Sequence, residues 1–165
     1  MTASRFDWRS VLAAFVDNHH SPGQEEDPFF LFSMSKPSGE GGWPLLEGFY
    51  ELCGGGDFSV LEVLSPQEVL EQQERWRGLI NDRSEVLAEG RHLVFAKEPD
   101  ATPVVLDQAT GEVRSYYWRE AWSDPSEGWT DFRFQSPEAL FEWLFCGEHQ
   151  EDWGDALRII RARLD

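Results

Sequence analysis

The sequence predicts one domain of mixed helices and strands, with helices before, between and after a strand meander. Three observations carry that expectation. Two Ser-Pro pairs, Ser65-Pro66 and Ser136-Pro137, have the chemistry of helix starts. The β-rich segments 104–106 and 113–118 are joined by Asp107-Gln108-Ala109-Thr110-Gly111, where Asp starts a turn and Gly takes its left-handed position. Apolar residues also recur at helical spacing near both ends of the chain. With 165 residues, 41% of them hydrophobic and including 8 Trp and 12 Phe, the chain has enough apolar surface for one substantial core.

In chain order, Ser4 is placed to cap a helix over residues 5–18, in which Phe6, Val11, Leu12, Phe15 and Val16 share a face. A polar break over 19–27 ends it. The run Phe29-Phe30-Leu31-Phe32 is too short for its period to separate a strand from a buried loop, and 35–42 reads as loop. Trp43-Pro44 opens a second helix to about Cys53, with Leu45, Leu46, Phe49, Tyr50 and Cys53 as its apolar face. Gly54-Gly55-Gly56 is then a left-handed cap leading into a strand over 58–64. Ser65-Pro66-Gln67-Glu68 is a capping box that starts the helix carrying Val69, Leu70, Trp76, Leu79 and Ile80. Strands follow at 93–96, 104–106 and 113–118, with another expected over 129–134 beyond the acidic loop 123–128. Ser136-Pro137-Glu138 starts a helix with Ala139, Leu140, Trp143 and Leu144. A basic-ended helix over 153–164 closes the chain, its arginines near the C-terminus where the macrodipole favours them.

Charge narrows the function. Against 14 Lys and Arg stand 31 Asp and Glu, a formal net charge of -17, so direct contact with nucleic acid or an anionic membrane works against the whole-molecule field. A cationic partner fits better. Cys53 and Cys146 lie in apolar helical contexts and read as reduced, buried thiols. No basic-then-apolar leader and no apolar run of spanning length is present, so a cytoplasmic location is expected.

The glycine run is not a phosphate cradle: it follows a helix and precedes a strand, no lysine is near, and Asp57 would repel the anion. His19 and His20 are adjacent and diverge on a helix, and His92 and His149 lack a partner at ligand spacing, so no metal is expected. No G-x-S-x-G elbow occurs, and neither cysteine sits where a thiol is activated. No enzyme activity and no cofactor are expected. The aromatic and acidic stretch 116–129, YYWREAWSDPSEGW, has the composition of a protein interface. The pattern turns Tyr116 and Trp118 inward and leaves Trp122 open between exposure and burial.

Taken in order, WPLLEGFYELCGGGDFSVLEVLSPQEVLEQ, then HLVFAKEPDATPVVLDQATGEVRSYYW, then SPEALFEWL resembles the SUKH superfamily, which includes yeast cell-wall synthesis regulators and many bacterial immunity proteins. The resemblance covers 43–145. It leaves a helix-and-loop extension at 1–42 and the helix at 150–165 outside, and residues 97–103 stand where members often carry a Gly-Asp-rich turn. It implies a single α+β domain, a mostly antiparallel sheet of about four to six strands flanked by helices, without catalysis. It further implies an immunity protein that binds and neutralises a cognate toxin, often a nuclease, in the producer's cytoplasm. The alternative is a non-enzymatic scaffold module regulating a cellular enzyme. The expected contacts are Asp57, Glu98, Asp100, Glu120, Trp122, Asp124, Glu127 and Trp129, at loops and strand ends where a rigid scaffold presents them.

Overall fold

Ser65-Pro66 and Ser136-Pro137 each start a helix, as expected. A computed structural model describes residues 7–19, 33–34, 42–58, 60–82, 86–117 and 124–147. Ser4, the apolar run 29–32 and the closing helix at 153–164 lie outside the described residues. Helix α1 spans Trp8–His19. Strand β1 is Ser33–Met34, a 3₁₀ turn covers Pro44–Leu46, and α2 is Glu47–Tyr50. Strands β2 (Gly56–Asp57) and β3 (Glu62–Val63) precede α3 (Pro66–Asp82). The meander is β4 (His92–Lys97), β5 (Pro103–Asp107) and β6 (Val113–Tyr116). A second 3₁₀ turn at Pro125–Gly128, β7 (Trp129–Phe134) and α4 (Pro137–Cys146) complete the described elements.

The architecture is α+β, built on one antiparallel sheet in the order β1 to β7. Among the described residues the sheet has 7 strands; β4 to β7 are the expected meander, and β1, β2 and β3 are two-residue pairings that leave little sequence signal. Local chemistry sets the boundaries elsewhere. Ser65 Oγ accepts from Glu68 N–H at 3.2 Å and Glu68 Oε1 accepts from Ser65 N–H at 3.4 Å, which is the reciprocal box the sequence predicts. Ser136 Oγ accepts from Ala139 N–H at 3.1 Å. In the β5–β6 turn, Asp107 Oδ1 accepts from Ala109 N–H at 2.9 Å, and Gly111 takes φ 82°.

Strand alternation gives the sheet two different faces. Leu93, Leu106, Val113 and Phe134 are register partners on one face, where Phe134 meets Trp143 of α4 at 5.3 Å. There α1, α2 and α4 enclose an aromatic core: Phe141 lies 5.0 Å from Trp8 and 4.9 Å from Phe49, and Phe145 lies 5.1 Å from Phe58. Helix α3 covers part of the other face. Because β3 ends at Val63, Val94 of β4 meets no strand on that side. The Gln73 side chain takes its place, donating to Val94 O at 3.0 Å and accepting from Val94 N–H at 3.4 Å.

Four expectations need correction. Residues 58–64 are not one strand: Phe58 N–H donates to Leu61 O at 2.9 Å, and this turn divides β2 from β3. The second helix ends at Tyr50, not Cys53, and begins as a 3₁₀ turn; three residues per turn rotate Leu45 off the stripe of Leu46 and Phe49, leaving it 43% exposed. Leu70 is 63% exposed, since burial of its neighbour Val69 turns it about 100° away toward solvent. The side chains of Leu79 and Ile80 lie outside the described set. Of the two free thiols, Cys53 is buried and Cys146 only half-buried.

The glycine run also works differently from a cap. The residue closing α2, Glu51, is right-handed, and the positive φ of 118° falls later, at Gly55. A Cβ on Gly55 would stand 2.7 Å from Ser65 N and 2.9 Å from Val63 O, both backbone atoms that cannot step aside. Gly55→Ala therefore lowers stability by about 2 kcal/mol or more, from left-handed strain and overpacking together. Gly78, inside α3, has nothing within 4 Å of a built Cβ, and Gly78→Ala raises stability by about 0.5–1 kcal/mol. Denaturant unfolding of the two variants should move the midpoint in opposite directions.

Candidate functional site

Register gathers the predicted contacts at one end of the sheet. Asp57 is opposite Glu62, Glu62 opposite Lys97, and Lys97 opposite Pro103. One step beyond the Val104–Ser115 pair, Tyr116 is opposite Trp129. The β4–β5 turn at 98–102 and the β6–β7 connection at 117–128 therefore leave the sheet at the same end as Asp57. Glu120 and Trp122 lie outside the described residues.

Asp100 and Asp124 are each held by local hydrogen bonds. Asp124 caps the second 3₁₀ turn, accepting from Ser126 N–H at 3.0 Å and Ser126 Oγ at 2.8 Å; those bonds hold its carboxyl below the usual carboxylate range. The turn is tied to β6, with Tyr116 OH donating to Pro125 O and Tyr117 N–H to Gly128 O, each at 2.7 Å. Glu127 is exposed beside Asp124. Asp100 accepts from Thr102 N–H at 3.0 Å, and hydrogen bonding to Thr102 lowers its pKa. Ala101 between them adopts φ 70°, the one left-handed non-glycine among the described residues.

Glu98 differs from its neighbours. It is half-buried, and loss of hydration raises its pKa more than a hydrogen bond with Ser115 lowers it. With Asp57, Glu62, Lys97, Pro99 and Ala101 it lines a recess of about 200 Å³. Lys97, 3.8 Å from Glu62 Oε2, separates this recess from a groove of about 350 Å³ bordered by Arg75, Trp76, Asp100 and Tyr117. Trp129 does not stand free at the rim. It is half-buried, edge-on to Tyr116 at 4.9 Å, with the Arg114 guanidinium 5.2 Å over its ring.

A second cluster, Trp129 apart, escaped the sequence reading. Arg91, His92, Asp107, Glu112, Arg114 and Trp129 line a hollow of about 230 Å³ on the sheet face that α3 leaves partly open. Arg91 clasps Asp107 with two hydrogen bonds, at 2.9 and 2.8 Å, and holds its carboxyl well below the usual range. His92 Nδ1 accepts from Ala88 N–H at 2.8 Å, and burial lowers its pKa, which favours the neutral ring. The residues come from the 91–92 edge of β4, the hairpin and β7. No local motif joins them; only strand register does.

Among the described residues no group of three or more His, Cys, Asp or Glu is arranged to hold a metal ion. The buried Cys53 thiol donates to Gly55 O at 3.3 Å, inside the core. No described helix is long and apolar enough to cross a membrane. Compared with protein-family models, curated proteins and solved structures, the chain matches none.

Two outcomes follow from this geometry. A raised folded pKa at Glu98 means that the protonated form is favoured; that contribution is full below the unfolded value of about 4.3 and is lost as pH rises through the folded value. Glu98→Gln should therefore raise the melting temperature at pH 7, by less than about 1 kcal/mol equivalent after allowing for solvent screening. The gap to the native chain should narrow below about pH 4, as thermal scans across pH will reveal. Ala101→Gly removes left-handed strain and should stabilise by about 1 kcal/mol in denaturant unfolding.

Proposed function

We propose that this chain is a SUKH-like immunity protein. It binds a cognate toxin that has a basic surface, possessed by any nuclease that grips phosphates, and neutralises it by occlusion in the cytoplasm of the producing cell. The observation that carries this reading is the convergence of Asp57, Glu98, Asp100, Asp124 and Glu127 from three separate segments at one end of the sheet. A formal charge of -17 steers a cationic partner toward it. The β4–β5 turn and the described part of the β6–β7 connection are pinned by backbone hydrogen bonds. Little ordering entropy is then lost when a partner docks. The order of helix starts, hairpin and strands, which resembles the superfamily, supports the same reading.

The test is co-expression with the product of the adjacent gene. Binding should appear as co-purification, and cells carrying both products should survive where the neighbour alone kills. An adjacent product that neither binds nor is toxic overturns the reading. Reversing Asp57, Asp100, Asp124 and Glu127 to lysine should slow association by about ten- to a hundredfold at low salt, with a smaller effect at high salt. An unchanged association rate in stopped-flow places the partner elsewhere.

A further inference from the structure

The groove between α3 and the β4–β5 turn differs from the acids around it. It measures about 350 Å³ and is bordered by Arg75 and Trp76 of α3, Lys97 of β4, Ala101 of the turn, and Tyr117 just beyond β6. Trp76 is set firmly in place. Its Nε1–H donates to Gln72 Oε1 at 2.9 Å, and with Val94, Pro103 and Val105 it closes a small apolar void of about 10 Å³ against the sheet. The indole is half-buried and also borders the groove. Charge is balanced here: Lys97 stands 3.8 Å from Glu62 Oε2, and Arg75 shares the groove with Asp100. Two donors are unengaged. Among the described residues Arg75 makes no hydrogen bond or ion pair, whereas Arg77 on the same helix is paired with Glu74 and Glu89; Tyr117 OH likewise has no hydrogen-bond partner. Ala101 lines both this groove and the acidic recess, holding its Cβ between them at a φ of 70°, where glycine would be unstrained. Strain of that kind gathers at ligand clamps.

We infer that this groove receives one aromatic side chain of the toxin, set within the toxin's basic surface; the inference rests on the reading of the chain as an immunity protein. An uncharged ring suits a charge-balanced groove between Trp76 and Tyr117, while the basic residues flanking that ring meet the acids beyond. Arg75 and Tyr117 OH donate to carbonyl groups beside it. Trp, Tyr and Arg gathered in one concavity are the residue types that carry most of an interface's energy, and Trp76 is already held in place, so little freedom is lost on docking. The two parts of the surface then do different work. The acids govern approach, and the groove governs how long the complex lasts.

The probe is the product of the adjacent gene, with association and dissociation rates measured separately on the full chain. Trp76→Ala should speed dissociation about thirtyfold or more and leave association within about twofold, at low and high salt alike. Arg75→Ala, at an exposed helix position, should speed dissociation by about tenfold; it stands in if the Trp76 variant does not fold. Arg77→Ala should leave both rates unchanged. Ala101→Gly separates binding from structure: it should stabilise the free chain yet speed dissociation several-fold, because the wall between groove and recess is gone. The inference is overturned, with occlusion intact, if the neighbour binds and the folded Trp76, Arg75 and Ala101 variants release it at the native rate. A neighbour that neither binds nor is toxic removes the occlusion reading and this inference with it.

Discussion

The backbone of Gly55 lies against the backbone from Val63 to Ser65 with no room for a side chain, and the placement of β2, β3 and α3 depends on that contact. The corner is held from several directions. Tyr50 OH donates to Leu64 O at 2.6 Å, and burial raises its pKa, so it stays a donor. Leu64 N–H donates to Phe95 O at 2.9 Å, and Ser65 is occupied in capping α3. With the corner fixed, β3 can pair with β4 only where Glu62 faces Lys97, and β2 then sets Asp57 opposite Glu62. The acidic row follows from packing at a glycine rather than from the acids themselves, which repel one another.

The same corner feeds the core. The turn that splits β2 from β3 carries Phe58, which is fully buried and reaches Phe145 of α4 and Phe49 of α2. A continuous strand over 58–64 would alternate its residues across the sheet and could not give this anchor. Each aromatic buried here contributes about 1.5–3 kcal/mol in transfer, with about 0.5–1.5 more for a well-placed ring pair. The Arg9–Glu138 ion pair between α1 and α4 is about half exposed at both partners and adds at most about 1 kcal/mol. Ring packing therefore sets the α1–α4 contact, and the ion pair with Trp8 Nε1–H donating to Glu138 at 2.7 Å fixes its orientation.

What was legible in the sequence was what neighbouring residues decide among themselves. Ser65 and Glu68, Ser136 and Ala139, and Asp107 with Gly111 close their hydrogen bonds within a few residues, so the residue types alone announce them. The division of 58–64 was not legible, because the choice between one strand and two is made by distant partners, Val63 with Ala96 and Phe58 with α4. For the candidate site the split is the same. Loop acids could be nominated one by one, but their gathering at one end needs the register. Trp129, nominated as a contact at a strand end, is half-buried instead, edge-on to Tyr116 and beneath the Arg114 guanidinium, because its partners come from β6 across the sheet. The hollow lined by Arg91, Asp107, Glu112 and Arg114 gave no signal, since alternating charge in a strand ordinarily means a solvated face.

The arginines toward the far end of the sheet are balanced by their immediate neighbours. Asp107 accepts two hydrogen bonds from Arg91, and Glu112 is held at 2.8 Å by Arg133 while its other oxygen lies 3.9 Å from Arg114 Nε. Arg114 also lies 5.2 Å over the Trp129 ring, with Nη2 donating to Thr130 O at 3.3 Å. Its register partner is Val105, two residues from Pro103 at the acidic end, or about 7 Å along the strand. That is within the screening length of about 8 Å at physiological ionic strength, so the acids gathered beyond Pro103 also favour a cation at this position.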